Sequence, residues 1–261
     1  MKDLVDRLRL IRSPTIGPVS YRHLISRFGS ASTALDALPD LARRGGGSAP
    51  RIVPRADAER EIARVEAIGG RYLLLGQGLY PRLLAELDNA PPILTVKGNL
   101  ALLDRQLVAI VGARNASAAA CRFARTLAHE LGAEDIITVS GLARGIDSAA
   151  HDGSLASGTI AVIAGGLDVV YPPENAERQA AIAERGLLIA EMPPGTEPRA
   201  PLPLSQPDHC RACAGHRGNR GGATLGFADH RAAGDRGRAR GHGGARLPAR
   251  PAGAGLQPAD P

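Results

Sequence analysis

Between residues 107 and 190 one pattern recurs four times: a short apolar run, then glycine or proline, then a stretch of helical length. The runs fall at 107–111, 136–140, 160–164 and 187–190, with an earlier one at 72–75. Runs of four or five apolar residues between turn signals read as strands covered on both faces, and a strand followed by a helix returns as a parallel neighbour. The segment between the first two of these runs, 118–131, has ordinary helical length. The pattern predicts an α/β fold with a mostly parallel sheet and helices on both faces.

Residues 1–65 follow a different rhythm. Leu4, Val5, Leu8 and Ile11 recur at helical spacing. Thr15, Ile16, Gly17 and Pro18 make a tight turn, and Tyr21, Leu24, Ile25 and Phe28 share one face of a second helix that Gly29 stops. The arrangement predicts a helix-hairpin-helix, which can offer backbone N–H groups to a phosphate but more commonly serves packing. The glycine-rich stretch 43–55 reads as a loop, and a further helix at about 57–68 leads into the sheet domain. The expected organisation is a small helical domain at 1–65, the sheet domain at 66–200 and a separate segment at 201–261.

In an open parallel sheet ligands bind beyond the carboxyl ends of the strands. Four loops occupy that position. The first, 112–117, carries Gly112, Arg114, Asn115 and Ser117; the second, 141–147, carries Gly141, Arg144, Gly145 and Asp147. The third holds Gly165 and Gly166, and the fourth runs from Glu191 to Gly195. A glycine after a strand lets a phosphate approach the backbone N–H groups, and the following helix directs its positive end to the same place. Arg114 and Arg144 add planar forks of donors suited to phosphate. Together the loops predict an anion-binding crevice. The plainer reading keeps the glycines as the turns any α/β sheet needs, Ser117 and Asp147 as helix N-caps, and His151 as a packing or hydrogen-bonding residue.

Charge narrows the classes further. The net charge is +6, yet residues 201–261 hold nine Arg, four Asp and neither Lys nor Glu, so five of the six net charges fall there. The preceding 200 residues are close to neutral. No secretory leader or membrane span is expected, and three cysteines fit a reducing compartment, so the cytoplasm is the expected location. No G-x-G-x-x-G follows the 107–111 strand, and the chain's lysines, Lys2 and Lys97, do not sit in a Walker loop, so no nucleotide cofactor is expected. No nucleophile–base pair or paired carboxylates point to catalysis. His209, Cys210, Cys213 and His216 contain a C-x-x-C with flanking histidines but lack a second pair at finger spacing, so no metal is expected.

The strings LVAIVGARNAS, VSGLARGIDSAAHDGSLASGTIAVIAGGLDVVYPPEN and LLIAEMPPGTEPRA resemble the DNA-processing protein A family (DprA, also called Smf). The resemblance is dense over 70–200 and loose over 1–65. It implies a Rossmann-like domain preceded by a helix-hairpin-helix or SAM-like helical domain. It also implies binding and protection of single-stranded DNA in natural transformation, loading of RecA on that DNA, and a homodimer in intact members. By the same resemblance the Arg114 and Arg144 loops line the DNA groove. A rival from another class, a phosphoribohydrolase-type nucleotide enzyme, calls for a PGGxGT loop with a catalytic glutamate; Glu191 precedes Pro193, Pro194 and Gly195, but the residues after these do not match that loop.

The resemblance stops at about Arg199. Residues 201–261 contain no Ile, Val, Met or Tyr, so they are expected to be disordered and to add no strand to the sheet. A change of reading frame accounts for this: allowed codons for Gln206 to Cys210, read from their second base, give N-R-I-I, part of the family's continuation. Sequencing the gene across the codons for Pro198 to Pro201 should reveal a one-base insertion or deletion; an intact frame there removes the explanation.

Overall fold

The computed structural model describes residues 2–44, 46 and 51–198, and the backbone of 224–227. Four helices come first: α1 (Lys2–Arg12), α2 (Pro18–Phe28), α3 (Ala31–Arg44) and α4 (Arg55–Ala67). The α1–α2 hairpin forms where the turn residues place it. Pro18 opens α2 with its fixed φ, and Gly29 closes it in the left-handed region, its N–H donating to the Ile25 carbonyl. The hairpin turn packs inward: Ile16 joins Leu10, Tyr21, Ala34, Leu35 and Leu38 in an apolar cluster. The buried Ser13 hydroxyl donates to the Arg9 carbonyl and accepts from the Val53 N–H. Helix α3 is an addition to the helices singled out above; it buries Ala31, Ala34, Leu35 and Leu38 and carries Pro39 within it.

The strands are β1 (Arg71–Leu74), β2 (Ile93–Gly98), β3 (Gln106–Gly112), β4 (Ile136–Ser140), β5 (Thr159–Ile163), β6 (Leu187–Ala190) and β7 (Thr224–Phe227). They form one sheet in the order β1-β2-β6-β5-β4-β3-β7. The four pairings among β3 to β7 are parallel, and β2 pairs antiparallel with both β1 and β6. The sheet is thus mostly parallel, as expected. Strand β2 is an addition to the expected set. Its Ile-Leu-Thr-Val run after Pro91 and Pro92 is a fully buried strand signal, but only the short helical turn Arg82–Ala85 precedes it, too little to mark a repeat. Strand β7 corrects the expectation that residues 201–261 add no strand: its backbone extends the sheet beyond β3. The remainder of that expectation, and the His209–Cys210–Cys213–His216 group, lie outside the described residues.

Strands β3, β4, β5 and β6 follow one another across the sheet without reversal. Right-handed crossovers that all step in one direction place their helices on one face. Accordingly α6 (Ala118–Ala133) and α7 (Ile146–Ser154) cover Val108 and Ile110, while α8 (Ala176–Arg185) presents Ile182 to Leu188 and Ala190 on the same side. Helices on both faces are therefore present unevenly. The opposite face, with Val139, Ile160, Val162 and Ile189, is closed by Tyr80, the short α5 (Arg82–Ala85) and a 3-10 turn at Leu100–Asp104. The helical segment docks on the sheet through Val5, Leu8 and Ile62 against Ile93. The Arg12–Glu61 ion pair, at 3.0 Å, joins α1 to α4, and Arg22 donates to the carbonyls of Ala85 and Leu87.

Helix α7 buries two titratable groups. His151 is fully enclosed, and its Nδ1 lies 2.8 Å from the Thr159 hydroxyl, which donates in turn to the Thr138 carbonyl, so the ring supplies the proton at Nδ1. Burial pushes its pKa down to about 3 from 6.5. Burial pushes Asp147 the other way, up to about 6 from 3.8. The neutral-histidine contribution to stability is present above pH 6.5 and is lost as the pH falls toward 3. The Asp147 contribution is full below pH 3.8 and is lost as the pH rises through 6. Between these limits the two oppose each other. His151→Gln should therefore make unfolding free energy rise as the pH falls from 6 to 3.8, and Asp147→Asn should make it drop more steeply than in the parent. Each change of slope should approach one proton, ~1.4 kcal/mol per pH unit, in urea titrations across that window. Parallel curves for the parent and both variants would show that neither group titrates differently on folding.

Candidate nucleic-acid interface

The carboxyl ends of β3, β4 and β5 open into a cavity of about 400 Å³. The β3–α6 loop contributes Arg114 and Asn115, the β4–α7 loop Gly141 through Arg144, and the end of β5 Ile163, Ala164 and Gly165. Val169, Tyr171, Pro172, Pro173 and Pro198 complete an apolar wall. Open α/β sheets receive ligands beyond the carboxyl ends of their strands, where these three loops lie. Both α6 and α7 begin from loops that line the cavity, so their positive ends add to the two arginines.

Five residues of the predicted set line this space: Arg114, Asn115, Gly141, Arg144 and Gly165. The other four lie outside its lining and have structural partners. The Gly112 N–H donates to the Asp147 carboxylate at 3.3 Å, and the Gly166 N–H to the Thr196 carbonyl at 2.9 Å. Ser117 caps α6 through its hydroxyl, which accepts from the Ala120 N–H, as the plainer reading expects. Gly145 has φ +77°, and a Cβ there would stand 2.3 Å from the Ala113 carbonyl oxygen, so only glycine lets the two arginine loops meet.

Asp147 is not an N-cap, since Gly145 occupies that position. Its carboxylate reaches back from the first turn of α7 to accept from Gly112 and, at 3.4 Å, from the Ala143 N–H, tying both arginine loops to one buried group. Those hydrogen bonds favour the charged form, but desolvation outweighs them. A second tie has no sequence signature of its own. Leu142 sits in the left-handed region at φ 59°, and its carbonyl accepts from the buried Asn175 amide at 2.7 Å. Asn175 ends the 3-10 turn Pro173–Asn175 and also accepts from the Ser148 hydroxyl. Only its place after the Tyr-Pro-Pro string could have pointed to it. The exposed Arg144 is paired with Glu174 of the same turn, and this contact draws the Glu174 carboxyl below its usual range.

The loops after β5 and β6 are held together by Asp168, whose carboxylate accepts from the Gly195 N–H at 2.7 Å and from Arg64 of α4 at 3.0 Å. Among the described residues no group of three or more potential metal ligands gathers. No helix among them is long and apolar enough to cross a membrane. The cavity places two arginines, Arg144 paired with Glu174, beside an apolar wall, a combination that suits a phosphodiester and the nucleoside it carries.

Comparison with known proteins identifies the family. Residues 71–202 match the family model for DNA recombination-mediator protein A, and residues 1–63 match that of the DprA-like N-terminal HHH domain. The DNA processing protein DprA of Streptococcus pneumoniae is 44% identical over 121 residues, covering 46% of this chain and 43% of the relative. The protein Smf of Synechocystis is 31% identical over 196 residues, covering 70% and 49% respectively. The chain thus spans about half the length of these curated relatives. The X-ray structure of the S. pneumoniae protein superposes with a TM-score of 0.58 at 28% identity, covering 76% of this chain and 64% of that one. DprA from Helicobacter pylori, solved for its single-stranded DNA binding mode, gives 0.53 at 28% identity, with 62% and 72% covered. With the sheet-domain match alone taking in about half of the sequence and the helical domain matched separately, the chain belongs to the DNA recombination-mediator protein A family, that of the DprA and Smf proteins.

Proposed function

We propose that this chain binds single-stranded DNA, with Arg114 and Arg144 holding backbone phosphates and Asn115, Gly141 and Gly165 shaping the floor between them. The observation that carries the reading is the convergence of both arginines on one cavity whose remaining wall is apolar. Phosphate contacts carry no sequence information, so binding is expected to be largely indifferent to sequence. Tyr171, the single lining aromatic among the described residues, gives room for one stacked base rather than an extended platform. The family resemblance extends the proposal to protection of the strand, loading of RecA on it in natural transformation, and a homodimer in a protein whose frame is restored. For the 261-residue chain we propose weakened binding, because its sequence after about residue 199 no longer resembles the family's.

In a frame-restored protein, Arg114→Ala should weaken binding to all single-stranded sequences alike, by about 1–3 kcal/mol. It should also flatten the dependence of log affinity on log salt by about 0.7 to 1 unit. Fluorescence anisotropy with homopolymer and mixed oligonucleotides checks both, and an unchanged affinity and slope would remove Arg114 from the interface. Restoring the frame should tighten binding at physiological salt beyond both the 261-residue chain and a truncation ending at Ala200. The truncation matters because a segment with five net positive charges attracts polyanions by itself. Incubation with nucleoside monophosphates should give no release of free base; release would favour the enzyme reading.

A further inference from the structure

The Arg144–Glu174 pair is not an ordinary contact between two free surface side chains. The two residues sit on different segments, the β4–α7 loop and the turn Pro173–Asn175, and those segments are fastened together directly beneath the pair. Two residues before Arg144, the Leu142 carbonyl accepts the buried Asn175 amide; one residue before Asn175 stands Glu174. The Asn175 side-chain oxygen also accepts from Ser148, in the first turn of α7, and from Arg178 of α8, so the turn is anchored on two further helices. The carboxylate is thereby held beside the Arg144 guanidinium at little further cost in chain entropy, and it takes the Nε–H that a phosphate oxygen would use. Both side chains remain about half exposed or more, at 63% for Arg144 and 49% for Glu174, so the pair can open without disturbing the core.

We propose that Glu174 is an internal stand-in for a DNA phosphate: it occupies Arg144 in the free protein and must be displaced by the strand. The inference rests on the phosphate role proposed for Arg144. It assigns Glu174 as a determinant of selectivity. A small free anion has to displace the tethered carboxylate unaided, whereas a phosphodiester chain already held at Arg114 presents its next phosphate to Arg144 at high effective concentration. Glu174 thus favours polymer over monomer at the same cavity.

The test is a double-mutant cycle in the 261-residue chain, with parent, Glu174→Gln, Arg144→Ala and the double variant titrated against a fluorescent oligothymidylate. Any attraction from the charged segment 201–261 is common to all four proteins, so it narrows the differences among them without changing their sign. Glu174→Gln should tighten binding by about two- to fivefold at low salt, the range of an exposed ion pair. That gain should vanish in the Arg144→Ala background, and inorganic phosphate should compete better against the oligonucleotide in Glu174→Gln than in the parent. Thermal melting should be unchanged, since the substituted side chain is exposed. The inference is overturned if Glu174→Gln leaves affinity unchanged, or tightens it equally in both backgrounds, as loss of any nearby negative charge would. If Arg144→Ala weakens the parent while Glu174→Gln has no effect, this inference falls alone. If Arg144→Ala has no effect on the parent, the phosphate role of Arg144 falls with it.

Discussion

The interface depends on one buried carboxylate. Asp147 is almost inaccessible to solvent, at 6% exposure, yet no cation pairs with it at hydrogen-bonding distance among the described residues; its partners are backbone N–H groups from the two loops that present Arg114 and Arg144. Each loop leaves a different strand and has no sheet ladder of its own beyond the strand end. Without an acceptor between them these partly buried N–H groups would lose a charge-assisted partner. The carboxylate supplies two oxygens and so serves both loops at once. The contact is tightened by the Ile146 N–H, which donates to the Ala113 carbonyl at 3.3 Å, and by the absence of a side chain at Gly145. The spacing of the two arginines is thus set by backbone and carboxylate geometry rather than by the flexible arginine stems.

The repeat of apolar run, turn and helix makes the parallel part of the sheet legible. Residues 136–140 and 187–190 are strands as read, and the other runs differ by about one residue at their ends, where side-chain periodicity says least. Strand β2 escapes the pattern because it enters the sheet antiparallel, outside the βα rhythm. The uneven covering of the two faces cannot be read locally at all. It comes from strand order, a long-range property, through the handedness of successive crossovers.

For the candidate site, residue type and position after a strand are enough to single out Arg114 and Arg144, because a cation in a glycine loop has few structural uses. The residues that hold those loops are far less visible. Asp147 looks like a cap because it opens a helix, and only the fold shows that its carboxylate faces backward across two loops. Asn175 and Glu174 lie some thirty residues from Arg144 in sequence, and neither has an isolated signature; they become relevant when the chain after β5 returns over the β4–α7 loop. Sequence thus names the groups that meet a ligand better than the groups that position them. Positioning depends on contacts between segments distant in the chain.

The order of the cavity's lining along the chain has a genetic consequence. Every lining residue among those described falls between Arg114 and Pro198, on the amino-terminal side of the point where the family likeness ends. A single-base lesion beyond the Pro198 codon rewrites downstream amino acids without altering one of these side chains. Change in the sequence beyond that codon and change in these side chains are therefore separable at the level of the gene.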